Sequence, residues 1–177
     1  MKKIARSELK RTYNRPHVLA WVAVKHGERQ TICPVGWHMQ TSHQPLMMAV
    51  SLHPNRFAHE LLREARAFVL AFPGEDMAEA TLELGTKSGR DYDKFATHGL
   101  TVLNGELGQP LIAECLLNME CKVIGALLTG DHTIFAGEVA AIWQSEDSRR
   151  PLLSVDDAAG YDQLLAAKAY QFGAVKR

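Results

Sequence analysis

Apolar residues fall along the chain in short dense runs rather than in one long helical stripe. Val18 to Lys25 (VLAWVAVK) is β-branched and aromatic, and His26-Gly27-Glu28 closes it as a turn, which predicts a strand leading into a hairpin. Pro45 to Leu52 (PLMMAVSL) is a second run. Pro54 stops it before a segment in which Phe57, Leu61, Leu62 and Ala65 recur at helical spacing. Ala67 to Phe72 (AFVLAF) predicts a further strand ended by Pro73-Gly74, after which Asp76 stands where it can cap a helix running to about Leu84. From Leu116 to Trp143, the runs LLNMECKVIGALLTG and HTIFAGEVAAIW flank the tight turn Thr129-Gly130-Asp131, the pattern of a central hairpin. Val155 to Phe172, with Leu164, Leu165, Ala167 and Ala169, predicts a C-terminal helix.

The strands do not alternate with crossover helices, so the pattern predicts a mainly β protein with several helices, a closed or partly closed barrel rather than a parallel sheet. With 177 residues and no repeat, linker or low-complexity block, one domain over 1–177 is expected. The 20 basic residues balance 20 acidic ones, which leaves no field to hold nucleic acid or an anionic membrane non-specifically. Any anion has to be captured locally. Cys33, Cys115 and Cys121 are odd in number and follow no CxxC spacing, against a disulfide framework or a structural zinc site. Nor do His38 and His43 stand at metal-ligand spacing with supporting cysteines or carboxylates, so no metal site is expected. The basic start, MKKIARSELKRTY, lacks the apolar stretch of a signal peptide, and no window reaches about 18 uninterrupted apolar residues; a cytoplasmic protein is expected.

The segment with most chemistry is Gly85 to Phe95, GTKSGRDYDKF, where small residues sit among Lys87, Ser88, Arg90 and Lys94. Glycines let backbone amides approach an anion, the hydroxyl donates a hydrogen bond and the cations supply charge-assisted ones. A phosphate loop and a solvated charged loop look alike at this level.

Five blocks taken together separate them. PVGWHMQTS from Pro34 to Ser42, the following PLMMAVSLHPNRF, the SGRDYDKF loop, the ECKV strand and GDHTIFAGEV stand in the order found in flavin reductase-like (flavoredoxin-like) proteins, and over about residues 16–143 the chain resembles that family. The resemblance implies an FMN-binding split β-barrel, homodimeric, with the flavin at the subunit interface, followed by a helical tail over about 154–172.

It also implies roles, position by position. Trp37, Met39, Gln40, Thr41 and Ser42 match the stretch that lines the isoalloxazine, the first two by apolar contact and the others as donors; core burial is the competing role for Trp37 and Met39. Ser51, His53, Asn55 and Arg56, at a strand end and the start of a helix, match phosphate and ribityl contacts, and a helix N-terminus with an arginine suits an anion. Solvation competes for Arg56, and capping for His53. Ser88 and Lys94 match phosphate or ribityl positions, while Asp93 is better suited to orienting Lys94 or fixing the loop, since its charge opposes phosphate. Lys87 and Arg90 stand as helpers to the phosphate contact or as solvated charges, the second reading being the better one for each. His132 matches a histidine near the flavin's reactive edge and the incoming nicotinamide, where it can donate a hydrogen bond or proton; a plain turn residue is the alternative. The pattern departs at Thr31-Ile32-Cys33-Pro34, where many relatives carry an asparagine.

The implied activity is that of an oxidoreductase passing reducing equivalents from NAD(P)H through FMN to free flavin, iron or a partner oxygenase. The alternative is a flavoredoxin-type electron carrier reduced by a redox protein partner. No GxGxxG element is present for a stably bound dinucleotide, so NAD(P)H is expected as a transient substrate.

Overall fold

The structure is a computed structural model that describes residues 2–9, 17–154 and 172–173. The chain is mainly β with some helices. Its centre is a seven-stranded antiparallel sheet, in the order β3-β2-β6-β9-β10-β5-β4, built from β2 (Ala20–His26), β3 (Arg29–Val35), β4 (His38–His43), β5 (Leu46–Leu52), β6 (Ala67–Phe72), β9 (Leu117–Thr129) and β10 (His132–Gln144). The short pairs β7 (Val102–Asn104) with β8 (Pro110–Ile112), and β1 (His17–Val18) with β11 (Leu153–Ser154) and β12 (Phe172–Gly173), lie outside it. Helices α1 (Phe57–Ala65), α2 (Ala78–Thr86) and α3 (Lys94–Thr97) fill the connections.

The apolar runs of β2 and β6 become strands covered on both faces. Successive side chains of a strand point to opposite sides. In β2 and β6, Val22, Val24, Phe68 and Leu70 join α1's Leu61 and Leu62 in one cluster, while Trp21, Ala23, Val69 and Ala71 join Leu84 and Phe95 in another. The Trp21 indole, fully buried, donates to the Thr81 hydroxyl at 3.1 Å, which in turn donates to the Met77 carbonyl at 2.7 Å, so the buried polar edge is satisfied. Emptying Leu61 or Leu62 to alanine would cost about 2–5 kcal/mol.

Helix α1 ends where Arg66 turns into the left-handed region at φ 56°, its amide bonding the Leu62 carbonyl at 3.1 Å while its own carbonyl accepts from Val123 N at 2.9 Å. That backbone bond delivers the chain directly into β6. The β9–β10 hairpin closes over Gly130, whose φ of 61° is the left-handed conformation a two-residue turn requires.

Two sequence expectations change. Asp76 does not cap α2: the helix starts at Ala78 without a side-chain cap, and both Asp76 oxygens accept from Arg149 Nη1, at 2.8 and 2.9 Å. The expected C-terminal helix lies outside the described residues as far as position 171, and Phe172 belongs to β12 instead of a helix.

Candidate functional site

Pro54 breaks the chain after β5, and the turn that follows is held locally: Asn55 N donates to His53 Nδ1 at 3.1 Å and Arg56 N to the His53 carbonyl at 2.9 Å. Arg56 then occupies the N-cap of α1 in extended geometry, with no side chain capping the first turn. The positive end of the helix dipole is therefore left for another partner. Across from it, the segment after α2 folds back so closely that a Cβ on Gly89 would stand 2.1 Å from Thr31 Oγ1 and 3.3 Å from the Phe57 ring. Only glycine permits that approach.

Between the helix end and this loop lies a cavity of about 200 Å³. Four cations line it, Arg56, Lys87, Arg90 and Lys94, together with Asn55, Ser88 and Thr31, and no aspartate or glutamate does. Asn55, Arg56, Ser88 and Lys94, separated by up to 39 positions in sequence, are thus brought together. Lys94 is not a free cation: its buried ammonium donates to the Ile32 carbonyl at 2.9 Å and the Leu84 carbonyl at 2.5 Å. Burial holds it below the ordinary lysine range; Cys33 opposes that depression and Arg56 adds to it. Asp93 caps α3, accepting from Phe95 N and Ala96 N at 3.0 and 3.1 Å, and so fixes the loop.

Arg90 is exposed but partnered. Its guanidinium donates to Glu60 Oε2 at 3.0 Å and the Asn55 carbonyl at 3.2 Å, and stands 5.2 Å from the Phe57 ring centre. On its far side an open groove of about 370 Å³ runs along α1 past Pro54, His59, Glu60, Arg63 and Glu64. Lys87, likewise, sits 4.8 Å over the Tyr92 ring.

A second, apolar cavity of about 160 Å³ is lined by Trp37, Met39, Ser51 and Ile134, with His38, Ala49 and Val50. The Ser51 amide donates to the Trp37 carbonyl at 2.9 Å, which ties the end of β5 to the loop before β4. His132 stands beside it, its ring 4.7 Å from Trp37 and 5.3 Å edge-on to His53. Its Nδ1 lies 2.7 Å from the Asp131 carboxylate, which pairing holds Asp131 below its usual pKa and leaves Nε2 as the histidine's other polar atom. His38 bonds the Val18 carbonyl at 2.8 Å, and burial pulls its pKa down.

Gln40, Thr41 and Ser42 line neither cavity. The β4–β5 register shifts between Gln40 and Ser42, and Gln40 Nε2 turns to the Ser42 carbonyl at 3.1 Å and His43 Nδ1 at 3.0 Å. The bulge has no signature in a sequence read as a donor triplet. Thr31, Cys33 and Ile134, which sequence reasoning left out, do line the cavities. The signal for Thr31 was Gly89, whose missing side chain it fills. The three cysteines are free, and burial raises all three thiols, Cys121 to about 12. Among the described residues, no group of three or more His, Cys, Asp or Glu side chains is arranged to hold a metal ion, and no helix is long and apolar enough to cross a membrane.

Known proteins share this fold. An FMN-binding protein from Thermus thermophilus, solved with bound 1-cyclohex-2-enone, is 31% identical and superposes with a TM-score of 0.77 over 86% of this chain and 90% of its own. Flavoredoxin from Methanosarcina acetivorans is 26% identical, with a TM-score of 0.76 over 90% of this chain and 95% of that one. The reductase component of a 4-nitrophenol 4-monooxygenase/4-nitrocatechol 2-monooxygenase from Rhodococcus opacus is 35% identical over 95 residues, 54% of this chain and 48% of that protein. The model of the flavin reductase like domain matches residues 12–162, and the chain belongs to the flavin reductase-like family.

Proposed function

We propose that the chain binds FMN and acts as a flavin reductase, passing reducing equivalents from NAD(P)H to an acceptor. The observation that carries this is the 200 Å³ cavity, lined by four cations and no carboxylate beside the uncapped first turn of α1. That donor set fits a terminal phosphate: Arg56 and Ser88 would bond its oxygens, Asn55 would serve the ribityl side, and Lys94 would contribute its remaining N–H and its charge. Bound FMN supplies acceptance of a hydride from the nicotinamide and delivery of electrons onward. The protein's own part is to bind, orient and exclude water. Trp37, Met39 and Ser51 would offer the ring an apolar wall, and His132, oriented by Asp131, would present Nε2 as the proton-holding atom at its edge.

Within this reading the seven-stranded sheet is the family's split barrel, and the working unit is a homodimer. Leu127 and Leu128 are 63% and 69% exposed, on opposite faces of the β9 tip, and Ile124 is 55% exposed. Leu127 pairs with Ile134, a wall of the apolar cavity, so the bare surface is continuous with the site. A second copy covering it would complete the ring-binding wall that Gln40, Thr41 and Ser42 do not complete within one chain, and isologous pairing is the commonest closed assembly. Light scattering of the holoprotein should give twice the chain mass; a monomer at micromolar concentration would remove the dimer.

The flavoredoxin relative favours a second reading, an FMN electron carrier reduced by another protein. Stopped-flow mixing of the FMN-loaded protein with NADH and with NADPH decides between them. Rapid bleaching of the flavin absorbance is expected for the reductase; inertness to both nicotinamides would overturn it in favour of the carrier.

A further inference from the structure

The phosphate-type cavity and the open groove along α1 are neighbours, and one side chain forms the wall between them. Arg90 lines both. Three contacts hold it there: Glu60 Oε2 at 3.0 Å, the Asn55 carbonyl at 3.2 Å and the face of Phe57 at 5.2 Å. Glu60 is shared within a surface network: its other oxygen accepts from Arg29 at 2.7 Å, and Arg29 reaches Glu64 at 2.6 Å. Hydrogen bonds from Arg29 and Arg90 keep the Glu60 carboxyl below its usual range, so the latch stays ionised through neutral and mildly acidic pH. The two arginines also clasp Phe57 from separate elements, Arg29 at 5.8 Å.

We propose that Arg90, latched by Glu60, is the residue that makes this site select FMN over FAD. The proposal rests on the flavin reading above and adds to it the ligand's permitted length. FMN ends in a phosphate monoester, which needs a closed cationic end. FAD continues from the same phosphate through a diphosphate to an adenosine, and therefore needs an open path. The structure offers a compact cationic end of about 200 Å³ on one side of Arg90 and unused room, about 370 Å³, on the other. A fixed guanidinium also favours the more highly charged monoester over the singly charged phosphates of a diphosphate bridge.

The test is a titration of the flavin-free protein with FMN and with FAD, followed by quenching of flavin fluorescence, for wild type, Arg90→Ala, Arg90→Lys and Glu60→Gln. Wild type is expected to bind FMN at least 10-fold more tightly. Arg90→Ala should shrink that ratio at least 5-fold, because FAD gains a path while FMN loses a cation. Glu60→Gln keeps the cation but loosens the latch, so it should move the ratio in the same direction by less; Arg90→Lys, which cannot make the forked contact, should fall between. Circular dichroism establishes that each variant is folded, and if Arg90→Ala is not, Glu60→Gln carries the decision. Equal weakening of both flavins, leaving the ratio unchanged, would make Arg90 a plain source of charge and overturn the proposal. A wild type that binds both flavins equally would overturn it too. Binding of neither flavin would instead sink the flavin reading, and this proposal with it.

Discussion

Replacing Lys94 by methionine separates its two possible duties, gripping a ligand and bracing the fold. The side chain is 5% exposed, and its ammonium bonds carbonyls from two elements, Ile32 on β3 and Leu84 on α2. Strand β3 is an edge of the main sheet, so outward-facing carbonyls there have no strand partner. Methionine fills a similar volume but takes the ammonium from both oxygens, leaving that of Ile32 with only the long contact from the Thr31 hydroxyl at 3.5 Å. An orphaned buried acceptor costs about 1–3 kcal/mol, so two cost about 2–6 kcal/mol. Against this, the variant no longer buries a charge, and the lowered lysine pKa shows that burial is unfavourable; a net loss of about 2–4 kcal/mol remains. For a chain of this size that corresponds to a fall in melting temperature of roughly 4–16 °C. Thermal denaturation of the flavin-free protein, followed by far-ultraviolet circular dichroism, measures it without any ligand contribution. A shift under about 2 °C, with FMN affinity strongly reduced, would show that Lys94 serves the ligand alone and would refute the bracing argument.

Arg56→Ala removes a cation at the uncapped start of α1 and should weaken FMN binding about 10- to 100-fold, as one charge-assisted hydrogen bond does, with little change in melting temperature; calorimetric titration checks it. His132→Ala should retain most FMN affinity but slow reduction by NAD(P)H about 10-fold in stopped-flow absorbance, because the ring stands against Trp37 of the apolar cavity and does not line the cationic one. Gly89→Ala forces a methyl group against Thr31 Oγ1 and should cost roughly 1–3 kcal/mol while weakening FMN; Gly89→Ala combined with Thr31→Gly should recover part of both. His38 and His59 have pKa values lowered by burial, so the unfolded chain binds the extra protons: stability from these groups is full above the ordinary histidine pKa of about 6.5 and is lost as pH falls below it, which melting curves from pH 7.5 to 5 should register.

What was legible in the sequence follows from where each contact is made. VLAWVAVK and AFVLAF declared themselves because both faces of β2 and β6 are covered, which demands unbroken apolar character. β4 did not: HMQTSH is an exposed edge strand whose polar composition reads as a loop, and its bulge displaces the donors expected at the ring. Four-residue α3 is too short to show a period. Asp76 was found as a residue and misjudged as a role, because its partner Arg149 lies 73 positions away, and the bonds of Lys94 to the carbonyls of Ile32 and Leu84, 62 and 10 positions away, were hidden for the same reason. Arg90 was passed over for the same reason: only the folded chain brings Glu60 and Phe57 to it. The cationic cavity was legible because its four cations sit in two stretches, at the start of α1 and in the loop after α2, that local turn chemistry already marks, while the third stretch, 31–33, carries no such mark.

The β9–β10 hairpin also governs the order in which the chain can be made. β6 pairs with its first half, through residues 117–122, and β5 pairs with residues 133–138 of β10, so each of these earlier strands, paired on its other edge with β2 or β4, lacks its second neighbour until the hairpin exists. During synthesis from the N-terminus, β5 and β6 are finished well before β10 leaves the ribosome, and two strongly apolar strand edges then wait unpaired through some seventy residues of translation, several seconds at about 5–20 residues per second. The hairpin itself closes through local contacts in microseconds once made. Translation, rather than folding chemistry, therefore sets how long the nascent chain is exposed to aggregation, and a chaperone that shields β5 and β6 would protect it only over that interval.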